Sequence, residues 1–337
     1  MIALLVIVVV VISCLIVISL VAVRFAGARA DCFEWQDAAF EMSSGPETKK
    51  IVAPALDTIT EDTLMDQMFK DSRGTESSYH VFNHGIDADK PVGVLIHLHG
   101  DGGGEYDSPQ GFATCAAALA AEHNMITVVP RTPDTENDTW WQDMNTNQRW
   151  LDELTAKVVN DFNIDRNRIW WSGYSGGAEF LSYSMLHNSP DLVTGGAVMM
   201  AGGGAPTWVN KRFNQDYLAN TPLYWVVGER DDGSTSIDGF DALSAARKGS
   251  DWYRDQGFNQ ATLNVIQNHD HYSLPTIDVL QDTLQQLLSG SETAQSGFFA
   301  YSSRRPDRIT ATARLRREST PKAEMRFETC FFTVDSE

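Results

Sequence analysis

The chain has 337 residues, with 45 Asp and Glu against 26 Lys and Arg, a net charge of −19 and 42% hydrophobic residues. That apolar content supports a sizeable core and excludes global disorder. The charge excludes a nucleic-acid partner, because neutralising phosphates takes clustered Lys and Arg, and four scattered Cys make neither a disulfide scaffold nor a four-thiolate metal site. Charge is also uneven along the chain. Residues 1–30 carry +2 and residues 291–337 carry +1, which leaves −22 on residues 31–290.

Residues 2–23 form an apolar run interrupted only by Ser13, Cys14 and Ser19. At about 1.5 Å per residue, a helix of this length crosses the roughly 30 Å hydrocarbon layer. The expected element is an N-terminal apolar helix, either an uncleaved anchor or a signal segment removed after Ala28-Arg29-Ala30. Arg24 and Arg29 follow the span, so the positive-inside rule keeps the next domain cytoplasmic, whereas a signal peptide exports it. The sequence leaves membrane attachment through 2–23 and secretion after Ala30 both open, and with them the side of the membrane. Residues 31–74 read as a linker and N-terminal extension. Asp57, Asp62 and Asp66 form a solvated acidic face rather than a metal site, and no metal is expected.

Elements then follow in order. Residues 79–82 predict an antiparallel strand at a sheet edge, and Gly93–Leu98 a strand covered on both faces. A helix is expected over 112–123, a strand over 125–129, and an amphipathic helix over 146–162, where Trp150, Leu151, Leu154, Val158 and Phe162 recur at three- and four-residue steps. Strands over 169–171, 197–200, 223–227 and Ala261–Ile266 alternate with helices over 176–187, 240–256 and 275–288. This alternation predicts an α/β domain over 75–290 with a mostly parallel central sheet and helices on both faces. The Arg- and Ser/Thr-rich residues 291–337 show no sustained period and read as a flexible basic tail.

Gly173-Tyr174-Ser175-Gly176-Gly177 lies where a strand hands over to a helix. A serine on such a turn is lifted above the sheet edge, and the flanking glycines relieve crowding, so Ser175 is the candidate nucleophile. His99-Gly100-Asp101-Gly102-Gly103-Gly104 follows the first long buried strand. Its glycines let backbone N–H groups approach a developing oxyanion, and the expected donors are the N–H groups of Asp101 and Gly176. Beyond the strand at 223–227 come Glu229, Asp231 and Asp232; Asp231 is the preferred acid, then Asp232, then Glu229. The base must follow on the last loop, which gives His271, with His269 as the alternative. Trp141, at the carboxyl end of a strand, is expected either to line an acyl pocket or simply to pack, and Tyr174 and Tyr272 to border the cleft. Cys115 reads as a buried free thiol, and a Cys32–Cys330 disulfide would join the two extensions.

These residues carry a resemblance. Residues 79–288 resemble the α/β-hydrolase superfamily, in the branch of serine esterases similar to polyhydroxybutyrate depolymerases and feruloyl esterases. The likeness rests on the Leu98-His99-Gly100 loop, on Trp150 opening a helix, on Asp165-Arg166-Asn167-Arg168-Ile169 leading into the Ser175 turn, and on the acid and histidine after successive late strands. It implies an α/β-hydrolase fold and a carboxylic ester hydrolase acting on a small-molecule or polymeric ester. Ser175 would attack, His271 would shuttle the proton and Asp231 would orient it, with no cofactor. Relatives often carry Cys where Asp101 stands, and Gly where Asp270 stands. A serine peptidase on the same fold, or a catalytically inactive membrane-tethered binding protein, are the alternatives. The sequence leaves the oligomeric state unknown.

Overall fold

The computed structural model describes residues 63–236 and 238–288, together with Cys32 and Gln36. The expected apolar helix over 2–23 and the tail over 291–337 lie outside the described residues. Among the described residues, no helix is long and apolar enough to cross a membrane.

The elements in chain order are β1 (Leu64–Lys70), β2 (Glu76–Phe82), β3 (Gly93–Leu98), α1 (Phe112–Ala121), β4 (Met125–Pro130), α2 (Met144–Asp161) and β5 (Ile169–Tyr174). Helix α3 starts as Gly176–Phe180, passes through a π turn at Leu181–Met185 and ends as Leu186–Asn188. Then come β6 (Gly196–Met200), α4 (Gln215–Asn220), β7 (Leu223–Gly228), α5 (Ala242–Asp255), β8 (Ala261–Ile266) and α6 (Thr276–Leu288). The strands form one sheet in the order β1-β2-β4-β3-β5-β6-β7-β8. Only β2 runs against its neighbours; every pairing from β4 through β8 is parallel.

The continuous apolar strands are explained by cover on both faces. Side chains alternate along a strand, so Val94, Ile96 and Leu98 of β3 join a cluster with Trp150 and Leu154 of α2, Phe180 of α3 and Tyr253 of α5. Leu95 points the other way, into a cluster with Phe112 and Leu119 of α1 and Ile277 and Leu280 of α6. In β5, Ile169 and Trp171 take the first face and Trp170 the second.

The amino-terminal side differs from the sequence reading. The sheet begins at Leu64, inside the region read as linker, and β1 rather than β2 forms the edge. Asp66 adopts φ 49° where the register of β1 against β2 shifts, and the exposed positions of the strand carry Leu64 and Met68 while a half-buried one carries Gln67, so no apolar–polar alternation marks it in the sequence. Cys115 is not a free thiol: it is disulfide-bonded to Cys32, with Cα atoms 5.6 Å apart, so Cys32 is paired with Cys115 and not, as expected, with Cys330. Gln36 caps α6, its Oε1 accepting the Ile277 N–H at 2.8 Å while its Nε2 donates to Asp278 Oδ2 at 2.8 Å. Residues 32 and 36 are thus docked on the two helices that cover the second face.

Candidate active site

Four chain segments leave the carboxyl edge of the sheet and converge, as loops do at that edge of an open parallel sheet. The turn after β5 places Ser175 at φ 49°, ψ −117°, a conformation that a residue with a side chain adopts only at an energetic cost. Its surroundings enforce the bend. A Cβ on Gly173 would lie 2.7 Å from the Gly177 backbone, and one on Gly177 would lie 2.3 Å from the Leu98 carbonyl oxygen. The two glycines are therefore required because strand, turn and neighbouring loop touch backbone to backbone. The Ser175 N–H donates to Met200 O at 2.9 Å, which ties the turn to β6.

The loop after β8 brings His271 to this turn across 96 positions of chain, with Nε2 3.0 Å from Ser175 Oγ. Its Nδ1 lies 3.0 Å from both carboxylate oxygens of Asp231, which follows β7 and is wholly buried. Burial pushes the Asp231 carboxyl above its ordinary range, and the hydrogen bond and charge of His271 offset part of that rise. The two other acids are engaged elsewhere: Asp232 accepts from the Ser234 N–H, and Glu229 from the Asn268 N–H. His269 is likewise turned away, its Nδ1 meeting the Ser273 carbonyl. Of the sequence alternatives, the structure joins Ser175, His271 and Asp231 in one line.

Asp101 follows β3, and its backbone N–H and that of Gly176 make no hydrogen bond among the described residues. The two residues touch: a Cβ on Gly176 would lie 1.9 Å from Asp101 Oδ1. Burial raises the Asp101 carboxyl, partly offset by its bond to Trp141. Trp141, one of the candidate pocket residues, is 39% exposed and reaches the cleft only through that bond, its Nε1 donating to Asp101 Oδ1 at 3.2 Å and Oδ2 at 3.1 Å. Tyr174 and Tyr272 do border the cleft, which has a volume of about 720 Å³ and also exposes Glu105, Phe112, Ser175 and His271. The Tyr174 hydroxyl donates to the His271 carbonyl at 2.6 Å, and the Tyr272 ring meets the His271 imidazole edge-on at 5.2 Å.

Two acids escaped the sequence reading. Glu105 accepts the Gly100 N–H at 3.1 Å, with its other oxygen 3.9 Å from His97 Nε2, too far for a hydrogen bond. Glu179, buried on α3, accepts the N–H groups of Gly203 and Gly204 at 2.9 and 3.0 Å and so fixes the loop after β6. Its signal was an acid on an otherwise apolar helix beginning. No group of three or more His, Cys, Asp or Glu able to hold a metal occurs among the described residues.

No protein-family model and no curated protein sequence matches the chain. Solved structures do. A thermostable esterase matches at 19% identity and TM-score 0.53, over 68% of this chain and 64% of its own length. A Bacillus cereus carboxylesterase matches at 19% identity and TM-score 0.49, over 63% of this chain and 94% of its own. A prolyl endopeptidase matches at 14% identity and TM-score 0.48, over 68% of this chain and 39% of its own. With its eight-stranded, mostly parallel sheet flanked by helices and its likeness to the thermostable esterase, the chain has the α/β-hydrolase fold.

Proposed function

We propose that this protein is a serine hydrolase that cleaves carboxylic esters, of small molecules or of a polymer, through a covalent acyl-enzyme. The single observation that carries the reading is the continuous line from Ser175 Oγ through His271 to Asp231, with 3.0 Å at each step. His271 Nε2 takes the hydroxyl proton as Ser175 Oγ bonds to the ester carbonyl carbon. The carbonyl oxygen, now negative, is met by the N–H groups of Asp101 and Gly176, the second helped by the positive end of α3. Collapse expels the alcohol, which leaves with the proton held by His271. Water, deprotonated by the same imidazole, then releases the acid and regenerates Ser175. Asp231 keeps Nδ1 protonated, so that Nε2 is free to act as the base.

A fluorophosphonate probe and a panel of p-nitrophenyl esters test this. The expected result is labelling and turnover by the wild-type protein, with Ser175→Ala abolishing the label and reducing turnover by roughly three orders of magnitude or more. A label that persists in the variant removes Ser175 as nucleophile. Faster cleavage of aminoacyl anilides than of esters would make the protein a peptidase, and no turnover of either would make it a binding protein on a hydrolase scaffold.

We further propose that the domain works outside the reducing cytoplasm, tethered through residues 2–23 or released after Ala30. The pairing of Cys32 with Cys115 supports this side of the membrane, since such bonds persist in oxidising compartments. N-terminal sequencing of the mature protein and cell fractionation check it; a reduced Cys32 in protein from intact cells would reverse the assignment.

A further inference from the structure

We infer that the side chains of Asp101 and Trp141 form a strut that sets the spacing of the two oxyanion donors, which makes both of them positioning residues. The inference rests on the hydrolase reading above and adds how its oxyanion site is held.

The two donor N–H groups sit on different elements, one on the loop after β3 and one at the start of α3. Asp101 is flanked by Gly100, Gly102, Gly103 and Gly104, and Gly102 and Gly103 adopt φ of 85° and 72°. Glycines confer no rigidity of their own, so the Asp101 peptide plane needs other restraints. On either side they are present: the Gly100 N–H is held by Glu105 at 3.1 Å, and the Gly102 N–H by the Asp138 carbonyl at 3.1 Å. Between them, the Asp101 N–H makes no bond among the described residues, which is what an oxyanion donor requires. The remaining restraint is the Asp101 side chain. One of its oxygens, Oδ1, rests against Gly176, where a Cβ would come within 1.9 Å, and the Trp141 indole N–H reaches both oxygens at 3.2 and 3.1 Å. A single side chain thus touches the second donor residue while carrying the first on its own backbone.

The electrostatics give the idea a sign. A carboxylate beside an oxygen that becomes negative opposes the reaction. If charge were the main effect of Asp101, deleting the side chain would speed the enzyme; if the strut is the main effect, deletion slows it.

The test measures kcat and KM on p-nitrophenyl acetate for the full chain carrying Asp101→Ala, Trp141→Phe, both together, or Asp101→Asn, with melting temperatures recorded for each. Because small displacements of donors are costly in rate, Asp101→Ala and Trp141→Phe are expected to lower kcat by about 10- to 100-fold with KM within about threefold. The double variant is expected to lose no more than the worse single one, since both break one coupling. Asp101→Asn, whose amide oxygen accepts the same indole N–H, is expected to exceed Asp101→Ala by at least about fivefold, a rescue that nonspecific damage to the fold would not show. A kcat for Asp101→Ala at or above wild type, an unaffected Trp141→Phe, additive losses, or an Asn variant no better than Ala would each overturn the strut. Wild-type protein that turns over esters while Trp141→Phe is unaffected sinks the strut alone. Wild-type protein that neither turns over nor takes the probe on Ser175 sinks the hydrolase reading, and the strut with it.

Discussion

Both carboxylate oxygens of Asp231 stand 3.0 Å from His271 Nδ1, and no part of Asp231 reaches solvent. An amide in that place offers His271 an N–H as readily as an oxygen and so permits the wrong tautomer. Asp231→Asn is therefore expected to lower kcat by about 10³- to 10⁴-fold with little change in KM. Stability should move the other way. Burial, outweighing the bond to His271, holds the Asp231 carboxyl above its unfolded value, so its contribution is favourable below that unfolded value and is lost as pH rises through the folded one. At pH 7 the ionised form costs stability, and Asp231→Asn should melt at or above the wild-type temperature by calorimetry.

His187 supplies a pH dependence away from the cleft. It is buried on α3, and burial, followed by the charge of Lys211, lowers its imidazole to about 4. The unfolded chain, near 6.5, takes up this proton first as the solution is acidified. Stability from this group is thus complete above about 6.5 and is lost as pH falls toward 4, by at most ~3 kcal/mol. Urea unfolding at several pH values between these limits should show the slope in the wild type and a flatter profile in His187→Gln.

In α5, Gly249 faces the loop after β6. A Cβ there would lie 1.8 Å from the Gly203 carbonyl oxygen, which already accepts the Trp225 indole N–H at 2.7 Å. The loop cannot retreat freely, because Glu179 holds the N–H groups of Gly203 and Gly204 on the other side. Helix propensity alone favours alanine over glycine by about 1 kcal/mol. The overlap is larger: Gly249→Ala is expected to destabilise by about 1–3 kcal/mol, as forced overpacking does. The midpoint of chemical denaturation reads the sign directly.

The disulfide spans 83 positions between Cys32 and Cys115. Closing a loop of that size costs the unfolded chain about 4.5 kcal/mol of entropy, of which disulfides typically deliver about 2–4 kcal/mol as stability. A reductant should lower the melting temperature of the wild type, and it should leave a Cys32→Ser/Cys115→Ser variant, already less stable, where it was. Ester turnover at room temperature should survive in both, because neither cysteine borders the cleft.

Much of this architecture was readable because both faces of the sheet are covered. Strands such as Gly93–Leu98 and Met125–Pro130 therefore announced themselves as apolar runs, and the strand order placed Ser175, the acids after β7 and the histidines after β8 at one edge. Periodicity failed at β1, an edge strand with a bulge at Asp66 that exposes Leu64 and Met68 alongside Asp66 and Lys70. It also missed α4, whose Gln215–Asn220 is too short to display a helical repeat. The sequence ranked Asp231 above Asp232, but the turn that buries one and exposes the other is visible only in space. Pairing Cys32 with Cys115, and Trp141 with Asp101, needed distances in space that no spacing along the chain encodes.

The hydroxyl of Tyr174 bonded to the main chain of His271 has a mechanical meaning. Tyr174 directly precedes Ser175, so the turn that carries the Ser175 hydroxyl also moors the main chain that carries the His271 imidazole. A swing of the last loop would have to break that mooring, and any shift of the bend would drag the imidazole along. The 3.0 Å separation of Ser175 Oγ and His271 Nε2 is thereby buttressed by a second link between the same turn and the same loop.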